Sequence, residues 1–306
     1  MLPDQGPDFF VPGAGKSGTT TLAEYLDQHP GICISRPKEP MFFSHDASIA
    51  PHLGMIGFSE GTDAYQQCFA HCSSSALKGE ASTSYMFFPG VLERLKAYAP
   101  NAKIIFIFRN PVDRVFSHYN WNCAWGDESR TLIEAFDHSR CLDIATWANR
   151  CGPAGYYYYY QNGLSARWLE NFIATFGAKS VITVSFESLR DRPISTLNNI
   201  YDFLGLDNVS DITETHANRT KNLAYPALYN NLARTWVRLL KNTSLGYILE
   251  RSGLKAVMRN AAEREEKSKP MQLEDRRYIA TLYNDDVVQL RRLTGKTWSE
   301  WTDFIA

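Results

Sequence analysis

Long hydrophobic runs are missing from this 306-residue sequence; the clearest apolar stretch is IIFIF at 104–108. A spanning helix needs roughly 20 apolar residues, so no membrane span is expected. Charge of one sign is missing too. The net charge is −1, so no global field recruits nucleic acid or an anionic membrane, and any anion site must be local. Six cysteines are too few for a disulfide scaffold in a chain of this length. Cys141 and Cys151 could bridge, but a reducing cytoplasm would disfavour it. The N-terminus lacks a basic region followed by an apolar stretch, so no signal peptide is expected. Long linkers, low-complexity breaks and repeats are absent as well. These gaps lead to the expectation of one soluble, cytoplasmic domain over residues 1–306. Its oligomeric state is open. Hydrophobic residues at 44% and charged residues at 21% supply a globular core.

Strand-like and helix-like segments alternate. Residues 8–12 read as a buried strand and Thr19 to Gln28 as a helix closed by His29-Pro30-Gly31. ICIS at 32–35, ALKGE at 76–80, AKIIFIF at 102–108 and SVITVSF at 180–186 read as further strands. Residues 44–63 read as loop. Helices are expected at 90–100, from Pro111 with Asn110 as cap, from Leu132, at 163–176 and from Pro193 to Phe203. The chain beyond about 226 reads as mostly helical. This order predicts an α/β fold, a central parallel sheet flanked by helices, with a helical C-terminal part.

The segment DFFVPGAGKSGTT at 8–20 drops from a strand into glycines, a lysine and three hydroxyl side chains, then opens a helix. Backbone N–H groups and a helix N-terminus there would face an anion. A nucleotide triphosphatase loop needs glycine five positions before Gly15-Lys16, and that position is Phe10. Such a site also needs an apolar strand ending in Asp to hold magnesium. The strand at 102–108 ends in Arg109 instead, which cannot hold a cation but can grip a phosphate. Two anion sites and no metal site are therefore expected.

PGAGKSGTTTLAEYLDQHP resembles the 5′-phosphosulfate loop of the sulfotransferases that use 3′-phosphoadenosine 5′-phosphosulfate (PAPS). FRNPVDRVFSHY resembles their 3′-phosphate segment, with Arg109 and Ser117 spaced as there. KEPMFF, VSFESLRDRPISTLNNIYDFLGL and the terminal RRLTGKTWSEW resemble the glycosaminoglycan, heparan sulfate-type branch. The likeness implies a P-loop-like phosphosulfate-binding loop and PAPS as co-substrate. It implies transfer of a sulfuryl group to a hydroxyl, or an amine, of an acceptor of the carbohydrate or small-metabolite class. It places Gly15, Lys16, Ser17, Gly18, Thr19 and Thr20 at the 5′-phosphate, Arg109 and Ser117 at the 3′-phosphate, and Arg219 and Lys221 in a loop over the nucleotide. Lys16 would stabilise the leaving phosphate and Glu39 would be the general base. Lys38, Tyr85 and Tyr158 would face the acceptor. Several relatives carry a lysine where GEASTSY has Ala81, so acceptor choice does not carry over.

Two other features are weighed. CFAHC at 68–72 sets two cysteines one turn apart with His71 between, but zinc needs about four ligands and no matching second pair exists. The run YYYYY at 156–160 reads first as core packing, with one face available to an acceptor groove. The competing functions are a P-loop-type nucleotide kinase, disfavoured by the missing Asp, and a non-catalytic nucleotide- or glycan-binding module on the same scaffold.

Overall fold

In the computed structural model, residues 6–44, 61–125, 127–142, 157–214, 222–223, 263–264 and 270–304 are described. Five parallel strands form the sheet: β1 (Phe9–Phe10), β2 (Ile32–Ile34), β3 (Leu77–Glu80), β4 (Lys103–Phe108) and β5 (Val181–Ser185), in the order β2-β3-β1-β4-β5. The expected α/β architecture is present. β1 lies between β3 and β4, with Phe9 opposite Gly79 on one side and Lys103 on the other. A Cβ at Gly79 would stand 2.1 Å from the Phe9 ring, so only glycine lets this ring lie across β3.

The alternation of β4 divides two cores. Ile104, Phe106 and Phe108 enter one cluster, and Ile105 and Ile107 enter the other. The second cluster is covered by α1 (Thr19–Leu26) through Leu22, Ala23, Tyr25 and Leu26, and by Leu197, Ile200, Tyr201 and Leu204 of a helix at Pro193–Leu204. The first takes Trp168, Leu169, Phe172 and Phe176 of the Ser165–Phe176 helix, and Ile279, Tyr283, Val287 and Leu290 of the Leu273–Thr294 helix. Apolar residues three and four apart give each helix one buried stripe. Other helices cover Thr62–Gln66 (α2), Val91–Tyr98 (α3), Pro111–Trp125 (α4) and Leu132–Arg140 (α5).

Helix starts follow the chemistry of the chain. Asn110 Oδ1 accepts from Val112 N at 3.0 Å, capping α4 ahead of Pro111. Thr131 and Glu134 form a reciprocal capping box on α5. A short helix at Phe186–Asp191, between β5 and Pro193, was not expected. It is capped by the Ser185 hydroxyl, which accepts from Ser188 N at 3.0 Å. The expected helical C-terminal part is met at Leu273–Thr294; residues 224–262 lie outside the described set. Trp298 and Trp301 stack beyond that helix at 4.6 Å, and Trp301 Nε1 donates to the buried Glu187 at 3.0 Å.

One correction concerns cysteine. A disulfide joins Cys33 on β2 to Cys72, 39 residues on, where no bridge was expected. Neither spacing nor a local motif marks this pair; the sheet brings it together. Cys141 is free and exposed, and Cys151 lies outside the described residues. His71 stands beside the bridge, its Nε2 3.3 Å from Cys33 Sγ. Cys33, His71 and Cys72 bring their ligand atoms within 4.8 Å of one another, but the disulfide leaves neither sulfur as a thiolate.

Candidate functional site

The site follows from the strand order. The chain leaves β3 on one side of β1 and crosses to β4 on the other, which makes β1 the switch point. Ligands of open parallel sheets bind beyond the strand ends at such a point. The loop after β1 and Arg109 after β4 therefore become neighbours. Ala14 N donates to Ile107 O at 2.8 Å, Ile107 N to Gly13 O at 3.1 Å, and Arg109 Nη1 to Lys16 O at 3.4 Å. Met86 N donates to Pro12 O at 3.1 Å from the β3 side. Gly18 precedes α1 with φ +90°, and a Cβ there would meet the Phe186 ring at 2.6 Å. Lys16 itself takes the left-handed region at φ 68°, a conformation that tightly held functional loops impose on non-glycine residues.

The loop has unmet hydrogen-bonding capacity. Ser17 Oγ is fully buried and has no hydrogen-bond partner. Arg109 Nε is buried without one as well, its guanidinium 4.8 Å from the Phe186 ring. Lys16 Nζ stands over the Trp121 ring at 5.3 Å. Burial first, then the charges of Arg109 and Arg114, lower the Lys16 pKa to about 8. Among the described residues, none of Lys16, Arg109 and Arg114 forms a salt bridge. Three cations that act on one another, beside buried donors without acceptors, can take up an anion, although Asp113 and Glu187 also act on Arg109. Arg114 was not expected there. It is buried, anchored by Nη2 to Tyr159 O, with Nη1 3.5 Å from His118 Nδ1. Its signal was a second cation in FRNPVDR, in the first turn of the helix that follows Arg109. Ser117 lies half-buried on α4, two turns in, as expected. Gly15 and Thr20 line the same loop and its helix start. Arg219 and Lys221 lie outside the described residues.

A second group assembles beside the loop. Lys38 Nζ donates to Glu39 Oε1 at 2.7 Å and to Thr19 Oγ1, the first residue of α1, at 3.5 Å. Thr83 Oγ1 donates to Glu39 Oε2 at 3.1 Å. The whole stretch Glu39–Ser44 is held to Ser82–Tyr85, one hydroxyl at a time. Met41 N donates to Ser82 Oγ at 3.0 Å, Phe43 N donates to Tyr85 Oη at 3.2 Å, and Ser44 Oγ pairs with Ser84 Oγ at 2.7 Å. Glu80 closes β3 beneath this seam. It is fully buried and accepts from Ser82 Oγ and Tyr65 Oη. Burial raises its pKa to about 7; hydrogen bonds from Ser82, Tyr65 and Tyr85 act against that rise. Glu80 was missed from the sequence; its signal was a carboxylate at the C-terminal end of a strand in a parallel sheet.

Two residues expected to face the acceptor lie largely inside. Tyr85 is 1% exposed, its ring packed on Phe10 and Phe43, and its hydroxyl holds the Glu39–Ser44 stretch by accepting from Phe43 N. Tyr158 is 7% exposed. Its neighbours have core duties too: Tyr159 Oη donates to Glu128 at 3.0 Å, and Tyr160 stacks on Tyr283 at 5.3 Å. Packing is the account of the tyrosine run wherever it is described.

A family model described as "Sulfotransferase family" matches residues 7–211. The human "Bifunctional heparan sulfate N-deacetylase/N-sulfotransferase 2" is 27% identical over 219 residues, 69% of this chain and 23% of that protein. The human form 1 of the same enzyme is 24% identical over 97% of this chain and 31% of its own length. The chain thus spans about a quarter to a third of the curated relatives it matches. The crystal structure of a sulfotransferase from Alicyclobacillus acidocaldarius shares the fold, with a TM-score of 0.69 at 24% identity over 97% of this chain and 99% of that one. With two thirds of its length matched by the family model, and with the phosphate loop and Arg109 inside the match, this chain belongs to the sulfotransferase family.

Proposed function

We propose that this chain uses PAPS to sulfate a hydroxyl, or an amine, of an acceptor of the carbohydrate or small-metabolite class. One observation carries the reading: Lys16, Arg109 and Arg114 act on one another with no salt bridge among the described residues, beside the buried, unbonded Ser17 Oγ and Arg109 Nε. These groups fit an anion with two separated phosphates. PAPS, when bound, would supply a sulfuryl group whose S–O bond to the 5′-phosphate breaks as the acceptor atom bonds to sulfur, the electron pair leaving on the phosphate. Ser17, Gly18, Thr19 and Thr20 would hold the 5′-phosphate through N–H and hydroxyl groups. Arg109 and Ser117 would hold the 3′-phosphate, with Arg219 and Lys221 as further candidates. Lys16 would stabilise charge that grows on the leaving phosphate. Glu39 would take the acceptor's proton. A nucleotide kinase would need a metal-holding carboxylate beyond β4, where Arg109 stands.

The relatives named for heparan sulfate favour a glycan acceptor, and Ala81 leaves its identity open. The Cys33–Cys72 disulfide favours an oxidising compartment over the cytoplasmic setting expected from the sequence. The deciding experiment incubates the protein with labelled PAPS, a metal chelator and a panel of glycan and small-molecule acceptors. Transfer to any of them supports the reading. No transfer from PAPS, with product labelled instead by γ-labelled ATP and magnesium, would replace it with the kinase.

A further inference from the structure

Resting on that reading, we infer that Lys38 is a catalytic residue that grips the transferring sulfuryl group, and that in the unloaded protein it is parked on Glu39. Two lysines flank the phosphate loop, and they face different partners. Lys16 lies over Trp121, in the field of Arg109 and Arg114. Lys38 stands at the other end of the loop, between Thr19 at the start of α1 and Glu39. A group passing from the loop to an acceptor activated by Glu39 must cross the gap that Lys38 spans. Among the described residues, Lys38 is the one cation within ion-pair distance of Glu39. The facing segment Ser82–Tyr85 contributes only hydroxyls.

Parking has a chemical consequence. Both Glu39 oxygens are engaged, one by Lys38 and one by Thr83. The Lys38 ammonium carries three donors on a flexible stem, and the pair is partly exposed. A sulfuryl oxygen arriving beside Thr19 competes for those donors. Lys38 then turns from Glu39 Oε1 towards the sulfuryl group, and Oε1 becomes free to accept the acceptor's proton. Thr83 keeps Glu39 in place meanwhile. Lys38 thereby ties the base to the presence of the group to be transferred.

The test compares adenosine 3′,5′-bisphosphate, which lacks the sulfuryl group, with PAPS, by calorimetry without acceptor. One charge-assisted contact predicts that Lys38→Met weakens PAPS binding about tenfold or more. Binding of the bisphosphate should stay within about threefold of wild type. Lys38→Arg should recover part of the PAPS affinity. Lys38→Met/Glu39→Gln should stay weak for PAPS, because the lost contact, not repulsion by a bared Glu39, is the cause. Equal losses for both ligands, no loss for PAPS, or full recovery in the double variant would overturn the assignment. Wild-type protein that binds neither nucleotide would overturn the sulfotransferase reading and this one with it.

Discussion

Affinity for adenosine 3′,5′-bisphosphate should fall as pH rises through the Lys16 pKa of about 8. Burial sets that value, and neighbouring Arg109 and Arg114 reinforce it. A bound phosphate reverses both causes, because it partners the ammonium and offsets the arginine charges. The bound pKa must therefore exceed the free one, and binding takes up protons. At pH 7 about nine-tenths of free Lys16 is charged, and at pH 9 about one-tenth, so the dissociation constant should rise about tenfold across that interval. The ligand does not confound this, since a phosphate monoester has its second pKa near 6 and stays doubly charged throughout. Calorimetry in buffers of different ionisation enthalpy should show uptake of about half a proton at pH 8. The stability of the unliganded protein has the opposite slope. Its folded Lys16 pKa lies below the ordinary lysine value of 10.5. The unfolded chain thus holds the proton through the window from about 8 to 10.5, and stability rises with pH there. Lys16→Met should flatten both profiles. Binding that is level from pH 7 to 9, or that keeps the same slope in Lys16→Met, would refute the placement of Lys16 against the ligand phosphate.

Arg109→Ala should weaken bisphosphate binding by about tenfold or more, with a chelator present, because it deletes a charge-assisted contact; strict magnesium dependence in the wild type would contradict the metal-free site. Glu39→Gln keeps the shape, loses the proton acceptor and should lower turnover about 10²–10⁴-fold. Its bisphosphate affinity should stay within a few-fold, and near-normal turnover would move the base elsewhere. Cys72→Ser should cost about 2–4 kcal/mol of stability by opening the crosslink to Cys33. Dithiol treatment should lower the wild-type Tm by a matching amount, and a Tm indifferent to reductant would show the cysteines unpaired in solution.

Local patterns were legible wherever the cause is local. The apolar run of β4, Asn110-Pro111 at the start of α4 and Pro193 at the start of a later helix each carry their reason within a few residues. The phosphate loop was legible because a strand, a glycine-bearing loop and a helix start must be contiguous to cradle an anion. Ser82-Thr83-Ser84-Tyr85 was not legible. Each of its hydroxyls meets an atom of the Glu39–Ser44 stretch about 40 residues earlier in the chain, and no periodicity records a pairing between two loops. Tyr85 drew attention as a polar aromatic near a site, whereas burial makes its hydroxyl a structural acceptor for Phe43 N. Cys33 and Cys72 share that logic, joined only because β2 lies at the sheet edge beside the turn after α2. The two lysines show the limit most sharply. Their motifs name a role for each but not their places relative to each other. The strand order supplies that: Arg109 follows β4 and draws the Lys16 neighbourhood to that side, while the segment after β2 brings Lys38 and Glu39 to the other. On the proposed roles, a phosphate-binding end and an acceptor end would be separated along one loop, as in-line transfer between them requires.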